Sequence, residues 1–158
     1  MPRGTAPLTS PRMAYWLLKT EPREYSWDDL VRDGTTRWSG VTNAQAQGNL
    51  RTMRAGDRAV VYHSGEKRAV GVAEVVKPAY EDPAADGGAV CVDVRAVEPL
   101  PAPVPLAALK LEATFEGSVL LRQGRLSVVP LTPAEWRDLE ALATVIAKTG
   151  GLRRRERF

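Results

Sequence analysis

The residues from 89 to 97 limit the possible folds most strongly, because apolar and charged side chains alternate along them. Val90, Val92 and Val94 occupy one set of alternate positions, and Asp93 and Arg95 occupy the other. A period of two is typical of a β-strand that buries one face and exposes the other. The stretch therefore predicts a half-buried strand.

Other segments predict further strands. Residues 15–20 predict a first strand that Pro22 ends, and residues 127–131 predict the last one. Residues 58–64 and 69–77 are separated by a short glycine-containing segment and predict a hairpin. Because these strands do not alternate with helices as βαβ units, we expect an α+β fold with a mainly antiparallel, curved sheet, closed as a small barrel with peripheral helices.

Helix signals lie between the predicted strands. Ser26 is the predicted N-cap of a helix that reaches about Arg32, and Asn43 is that of a helix that reaches about Met53. A capping box over residues 132–135 opens the last helix, which we expect the glycine pair 150–151 to end. Four prolines at alternate positions from 99 to 105 predict an extended segment at a sheet edge, because proline cannot donate to a central ladder.

The length of 158 residues suits a single domain. Residues 1–12 are rich in Pro, Gly, Ser and Thr and are expected to be a disordered arm, followed by a domain over 13–149 and a basic tail over 150–158. The net charge of +3 resides in the two ends, since residues 13–152 carry a net charge of −2. The body therefore presents no overall basic surface, and contact with a polyanion requires a local patch or the ends.

Several classes of function are disfavoured. One histidine and one cysteine cannot supply the usual ligand set of a zinc site, and no phosphate-binding glycine loop is present, so no cofactor is expected. His63 and Ser64 are neighbours on a strand and point to opposite faces, which excludes a Ser–His pair between them. We expect no membrane span, no secretory signal and a cytoplasmic location.

The aromatic residues indicate a class of function. Three of the four tryptophans, Trp16, Trp27 and Trp38, lie within 23 residues and beside polar side chains. Flat rings interleaved with polar groups suit a pocket for one planar heterocycle, which stacks on the rings while the polar groups read its edge. Trp16 and Trp136 are expected in the core, Trp27 is open between packing and binding, and Trp38 is expected in a loop with a binding role.

Several motifs together identify a family resemblance. They are Tyr15-Trp16-Leu17-Leu18-Lys19-Thr20-Glu21-Pro22, Tyr25-Ser26-Trp27-Asp28-Asp29-Leu30, Trp38-Ser39-Gly40-Val41-Thr42-Asn43, Tyr62-His63-Ser64 and Arg125-Leu126-Ser127-Val128-Val129-Pro130-Leu131. In this order, and over about residues 13–148, the chain closely resembles the EVE domains. The resemblance implies a PUA-like fold related to the YTH domains, and a reader of modified bases in nucleic acid.

The resemblance and the aromatic pattern together give a set of site residues. Candidates for contact with the base are Lys19, Thr20, Trp27, Trp38, Ser39, Asn43, Tyr62, His63 and Ser64, and candidates for contact with phosphates are Arg125 and Ser127. Tyr62, His63 and Ser64 are expected to form the wall opposite Trp38. The family often has arginine where Thr42 stands and Arg-Asn where Gln47-Gly48 stands, which weakens the expectation of tight duplex binding.

The expected function is a non-catalytic, nucleic-acid-binding module that reads a modified nucleobase, such as a modified cytosine in DNA. Three alternatives stay open at this point. The chain could read modified RNA, it could sense free modified nucleosides, or it could be a ribonuclease that uses His63 with Lys19.

Overall fold

The computed structural model describes residues 13–156, with side chains through residue 149. The elements in chain order are β1 (Tyr15–Thr20), α1 (Trp27–Asp33), β2 (Thr35–Trp38), α2 (Ala44–Thr52), β3 (Arg58–His63), β4 (Arg68–Glu81), β5 (Val90–Pro105), α3 (Leu106–Leu109), a 3-10 helix (Ala113–Phe115), α4 (Val119–Arg122), β6 (Val128–Leu131) and α5 (Pro133–Glu156). The predicted arm over 1–12 lies outside the described residues.

The six strands form one mixed sheet in the order β2-β5-β4-β3-β1-β6. Four of the five strand pairs are antiparallel, as predicted, and β1 and β3 run parallel. The predicted barrel is corrected: within residues 13–156 no ladder joins β2 to β6, so hydrogen bonds do not close the sheet. The outer strands β2 and β6 are four residues long, and each of them pairs with a single neighbour.

The pairing between the two long strands of the sheet is irregular. Val75 pairs with Val94 while Lys77 pairs with Asp93, so β4 uses one residue more than β5 at this point. Such bulges bend a strand and increase its twist. The proline-rich part of β5, residues 99–105, pairs with β4 alone because β2 reaches only the earlier part of β5. It is a local edge, as predicted, and prolines are tolerated there.

The helix starts agree with the predicted caps. The Ser26 hydroxyl accepts from the Asp29 N–H and the Asp29 carboxylate accepts from the Ser26 N–H, which completes a capping box at the start of α1. Thr132 and Glu135 form the same reciprocal pair at the start of α5. The predicted end of α5 is wrong, because the helix passes through the glycine pair and reaches Glu156. Two glycines cost only about 1 kcal/mol each, and the residues after them are good helix formers.

A single core fills the space between the sheet and the helices. Its fully buried side chains come from the central strands, from α1, α2 and α5, and from the 3-10 helix; they include Leu17, Leu30, Leu50, Val60, Val92, Phe115 and Leu139. Trp16 and Trp136 lie in this core, as predicted. The Trp16 indole N–H donates to the buried Asp57 carboxylate at 3.1 Å, and the Trp136 ring stacks on Tyr15 at 4.8 Å.

Candidate functional site

An open cavity of about 460 Å³ lies where the ends of β1 and β2 approach the start of α2 and the segment before β6. Seven of the predicted site residues line it: Lys19, Thr20, Trp38, Ser39, Asn43, Arg125 and Ser127. They come from four separate parts of the chain, so the fold brings them together.

Trp38 forms part of the cavity wall from the last position of β2. The predicted loop position is therefore wrong, because this short strand pairs with β5 and Trp38 lies opposite Val92. Its side chain is only 7% exposed, and its ring meets Tyr25 edge to face with centroids 6.4 Å apart. Two aromatic rings thus meet beside the cavity in a fixed relative orientation.

Asn43 borders the cavity and also caps α2. Its Oδ1 accepts from the Ala46 N–H at 2.9 Å, which assigns the orientation of the side-chain amide. Among the contacts within residues 13–149, the Asn43 Nδ2 has no partner. The residue therefore offers a donor to a ligand while its oxygen is held by the helix.

The end of β1 supplies a polar corner. The Lys19 ammonium donates to the Gly124 carbonyl at 2.8 Å and lies 5.7 Å from the centre of the Tyr62 ring. Partial burial lowers the pKa of Lys19. The Thr20 hydroxyl donates to the Tyr25 carbonyl at 2.7 Å. These bonds hold β1 against the segment before β6 and against the turn that leads into α1.

The charges around the cavity are mixed. Lys19, Arg37 and Arg125 contribute positive charge, whereas Glu21 and Glu24 contribute negative charge. The carboxylates of Asp57 and Asp82 are buried, and neither lines this cavity. A bound anion is therefore favoured only at the arginine and lysine positions, and repelled at the glutamates.

Four predicted site residues do not line the cavity: Trp27, Tyr62, His63 and Ser64. The expected wall of Tyr62, His63 and Ser64 opposite Trp38 is thus absent from the cavity. Tyr62 is 3% exposed on β3, and burial raises the pKa of its hydroxyl. The Ser64 hydroxyl, which is exposed, lies 3.3 Å from the Thr20 carbonyl. Any contact of these residues with a base stays a prediction.

His63 and Trp27 form one structural unit. The Trp27 backbone N–H donates to His63 Nε2 at 3.0 Å, and His63 Nδ1 lies 2.9 Å from a Glu66 oxygen. Since Nε2 accepts, the proton of the neutral ring must be on Nδ1, which donates to Glu66. The Trp27 ring packs directly on Gly71, where a Cβ atom would approach it to 2.4 Å. Both ring nitrogens of His63 are therefore engaged in hydrogen bonds.

The sequence did not reveal two residues that shape the cavity. Tyr25 lines it, and its hydroxyl donates to Asp33 at 2.8 Å. Gln47 is buried on α2; its amide nitrogen donates to the carbonyls of Val41 and Val90, and its oxygen accepts from the Val90 N–H. Gln47 thereby holds the segment before α2, in which Val41 lines the cavity, next to β5. A buried glutamine needs such partners, but they lie 6 and 43 positions away and left no local signal.

Within residues 13–149 there is no group of three or more His, Cys, Asp or Glu side chains placed to hold a metal ion. Across residues 13–156, no helix combines the length and apolar character that a membrane crossing requires.

Comparison with known proteins identifies the family. The model of the EVE domain matches residues 14–142, which is most of the chain. This chain belongs to the EVE domain family. The resemblance inferred from its motifs is thereby confirmed.

EVE relatives of known sequence include thymocyte nuclear protein 1. The human protein is 33% identical over 159 aligned residues, which cover 78% of this chain and 71% of the human one. The chicken protein is 32% identical, and the match covers 77% of this chain. This chain spans 65% of the length of that chicken relative.

Solved structures support the same conclusion. Rpa0253 from Rhodopseudomonas palustris is 43% identical with a TM-score of 0.79, and the match covers 85% of this chain and 95% of that one. Human THYN1, solved in complex with 5-methylcytosine-containing DNA, is 31% identical with a TM-score of 0.75, over 82% and 97% of the two chains. The YTH domain of MRB1 from Zygosaccharomyces rouxii, 14% identical with a TM-score of 0.56, shares the fold alone.

Proposed function

We propose that this EVE domain is a non-catalytic reader that holds one modified nucleobase, such as a modified cytosine of DNA, in the cavity beside Trp38. The observation that carries the proposal is the cavity itself, of about 460 Å³, which joins an aromatic wall to polar groups from four chain segments. Its volume falls in the range of small-ligand pockets, roughly 300–1,000 Å³. The structure of human THYN1 with 5-methylcytosine-containing DNA supports the choice of polymer and base.

Each wall has a role in this proposal. The base contacts Trp38 and Tyr25, and the Asn43 Nδ2 donates to an acceptor on the base edge. Glu21 or Glu24 accepts from an exocyclic amino group, as carboxylates do from the N4 amine of cytosine. This combination of one donor and nearby acceptors suits an amino-bearing base better than thymine or uracil.

Energetics limit the expected selectivity. Extruding a base from a duplex costs a few kcal/mol, which contacts to phosphates must offset. We assign those contacts to Arg125 and Ser127, with Lys19 nearby. A single methyl group in an apolar pocket contributes about 1–3 kcal/mol, so discrimination against the unmodified base is roughly 10- to 200-fold.

The proposal includes no catalytic step. His63, the histidine considered for ribonuclease chemistry, uses both ring nitrogens in contacts with Trp27 and Glu66. A general base needs a free nitrogen within reach of the proton that it removes. Incubation with labelled RNA checks this part, since cleavage abolished by His63→Ala would contradict it.

The test is a titration of labelled oligonucleotides of one sequence that carry cytosine, 5-methylcytosine or 5-hydroxymethylcytosine, as DNA and as matched RNA. Trp38→Ala should abolish the preference for the modified base and leave weak, salt-dependent binding. Base stacking on an aromatic side chain contributes about 1–3 kcal/mol, so we expect a loss of roughly 5- to 150-fold on the preferred target.

The matched control is deletion of residues 153–158, which removes four arginines. This variant should lower affinity for all oligonucleotides by a similar factor, because phosphate contacts carry no sequence information. Equal behaviour of the two variants would refute the assignment of the base to Trp38. Stronger binding of the matched RNA, or of the free nucleoside, would replace the DNA target by that ligand.

A further inference from the structure

A second, smaller cavity continues from the first along the surface. It has a volume of about 310 Å³ and shares Asn43 and Arg125 with the base cavity. Beyond them it is bordered by Gln45 in the first turn of α2 and by Arg122 and Gln123 at the end of α4. We call this cavity the side groove.

The two cavities differ in charge. Within residues 13–149, no carboxylate lines the side groove, whereas Glu21 and Glu24 line the base cavity. The groove is lined by Gly124 and Leu126 and by two arginines and three amide side chains, which carry donors suited to phosphate oxygens. An anionic chain that leaves the base cavity is therefore attracted toward the side groove and repelled from the glutamates.

The positive charges of the two groove arginines are not neutralised by an ion pair within the described residues. The Arg122 Nε donates to the Gly117 carbonyl at 2.8 Å, which fixes the stem of the side chain. Among the ion pairs of the described residues, none involves Arg122 or Arg125. Arg122, which borders the groove, thus has no ion-pair partner among the described residues. A guanidinium positioned in this way loses less conformational entropy when it binds a phosphate.

We propose that the side groove holds the phosphodiester adjacent to the nucleotide whose base occupies the cavity, with Arg122 and Gln45 as contacts that supplement Arg125. The proposal rests on the proposed function, since it requires a nucleotide at Trp38. It adds a direction: the strand leaves the base cavity past Asn43 and continues toward α4. The linkage on the other side of the nucleotide does not enter the groove.

Arg122→Gln tests the groove, because Arg122 lies outside the base cavity. The variant should weaken binding to modified and unmodified DNA by the same factor. It should also reduce the slope of log affinity against log salt by about 0.9, which is about a 3.5-fold smaller change in Kd between about 50 and 200 mM salt. Arg137→Gln is the matched control, since Arg137 is exposed on α5 and lines neither cavity.

A scan with single methylphosphonate linkages locates the contact. Each linkage near the 5-methylcytosine is made neutral in turn, and the Kd is measured with wild type and with Arg122→Gln. At one adjacent linkage the two changes should be non-additive, because both remove the same contact. Gln45→Ala should show the same coupling from a different helix, which keeps the test valid if Arg122→Gln perturbs α4.

The outcomes separate the two proposals. Additive effects at every linkage, with the preference for the modified base retained, would overturn the side groove and leave the base reader intact. Coupling at one linkage without a preference for the modified base would keep the groove and a nucleotide at Trp38, and would overturn only the recognition of the modification. Absence of binding to every oligonucleotide would reject both.

Discussion

Trp27 and Trp38 are each 7% exposed, yet they lie in opposite kinds of surroundings. Trp27 begins α1 and its ring is pressed onto Gly71, with its backbone N–H bound to His63. Trp38 ends β2, and its ring forms a wall of an open cavity. Exposure of the side chain alone therefore does not distinguish a tryptophan packed in the interior from one that lines a cavity. The free volume beside the ring does.

Gly71→Ala tests the contrast between the two tryptophans most strongly, because it adds a methyl group against the packed ring of Trp27. The new Cβ would lie 2.4 Å from a carbon of the Trp27 indole, which cannot yield without moving α1. Overpacking of this kind typically costs about 1–3 kcal/mol of the free energy of unfolding. Urea denaturation measures it.

Gly48→Ala provides the control for crowding. Gly48 lies within α2, and a Cβ there would have no atom within 4 Å. Alanine in a helix interior is favoured over glycine by about 0.5–1 kcal/mol, so this variant should be more stable than wild type. If both alanines changed stability in the same direction, the close packing of Trp27 on Gly71 would be wrong.

On the open side, Asn43→Ser separates the capping of α2 from contact with a ligand. Serine keeps a capping oxygen for the Ala46 N–H, so stability should change little. The variant loses the Nδ2 donor, and one hydrogen bond contributes about 0.5–1.5 kcal/mol, so affinity for the modified DNA should fall roughly 2- to 13-fold. Fluorescence anisotropy measures the affinity, and thermal unfolding checks the cap. Unchanged affinity would remove Asn43 from the base edge.

The smallest expected effect is on the acid stability of α1, the helix that Trp27 begins. The hydrogen bond from the Ser26 N–H, followed by the Ser26 hydroxyl and Arg32, lowers the pKa of Asp29. A lowered pKa in the folded state gives stability that is present above the unfolded pKa of about 3.9 and lost as pH falls through the folded pKa. Asp29→Asn should therefore be less stable than wild type near neutral pH, and the difference should shrink in acid. A constant difference across this range would contradict the assignment.

Local signals in the sequence predicted much of the fold. Ser26 and Asn43 cap the helices for which they were proposed, because a cap bonds within four residues of its own position. The first strand, Tyr15–Thr20, also has the predicted bounds. Such features depend on residues that are close together in the sequence.

Features that depend on distant partners were missed or misplaced. Trp38 was expected in a loop, but β2 exists only because β5 offers it a ladder more than 50 positions later. His63 was expected in the pocket wall, but its ring is held by Trp27, 36 positions earlier. The position of the cavity could be predicted from motifs that recur in a family. Which residues line it depends on how the strands pair, and this could not be predicted.

The place of β1 in the sheet also sets when the cavity can exist. β1 lies between β3 and β6, and the Lys19 N–H donates to the Ser127 carbonyl at 2.9 Å. During synthesis β1 leaves the ribosome early, whereas Arg125, Ser127 and β6 follow more than 100 residues later. A nascent or truncated chain that lacks this late segment has most of its strands but no complete cavity. Binding of a base in this cavity, as proposed, would therefore require that β6 has emerged from the ribosome and paired with β1.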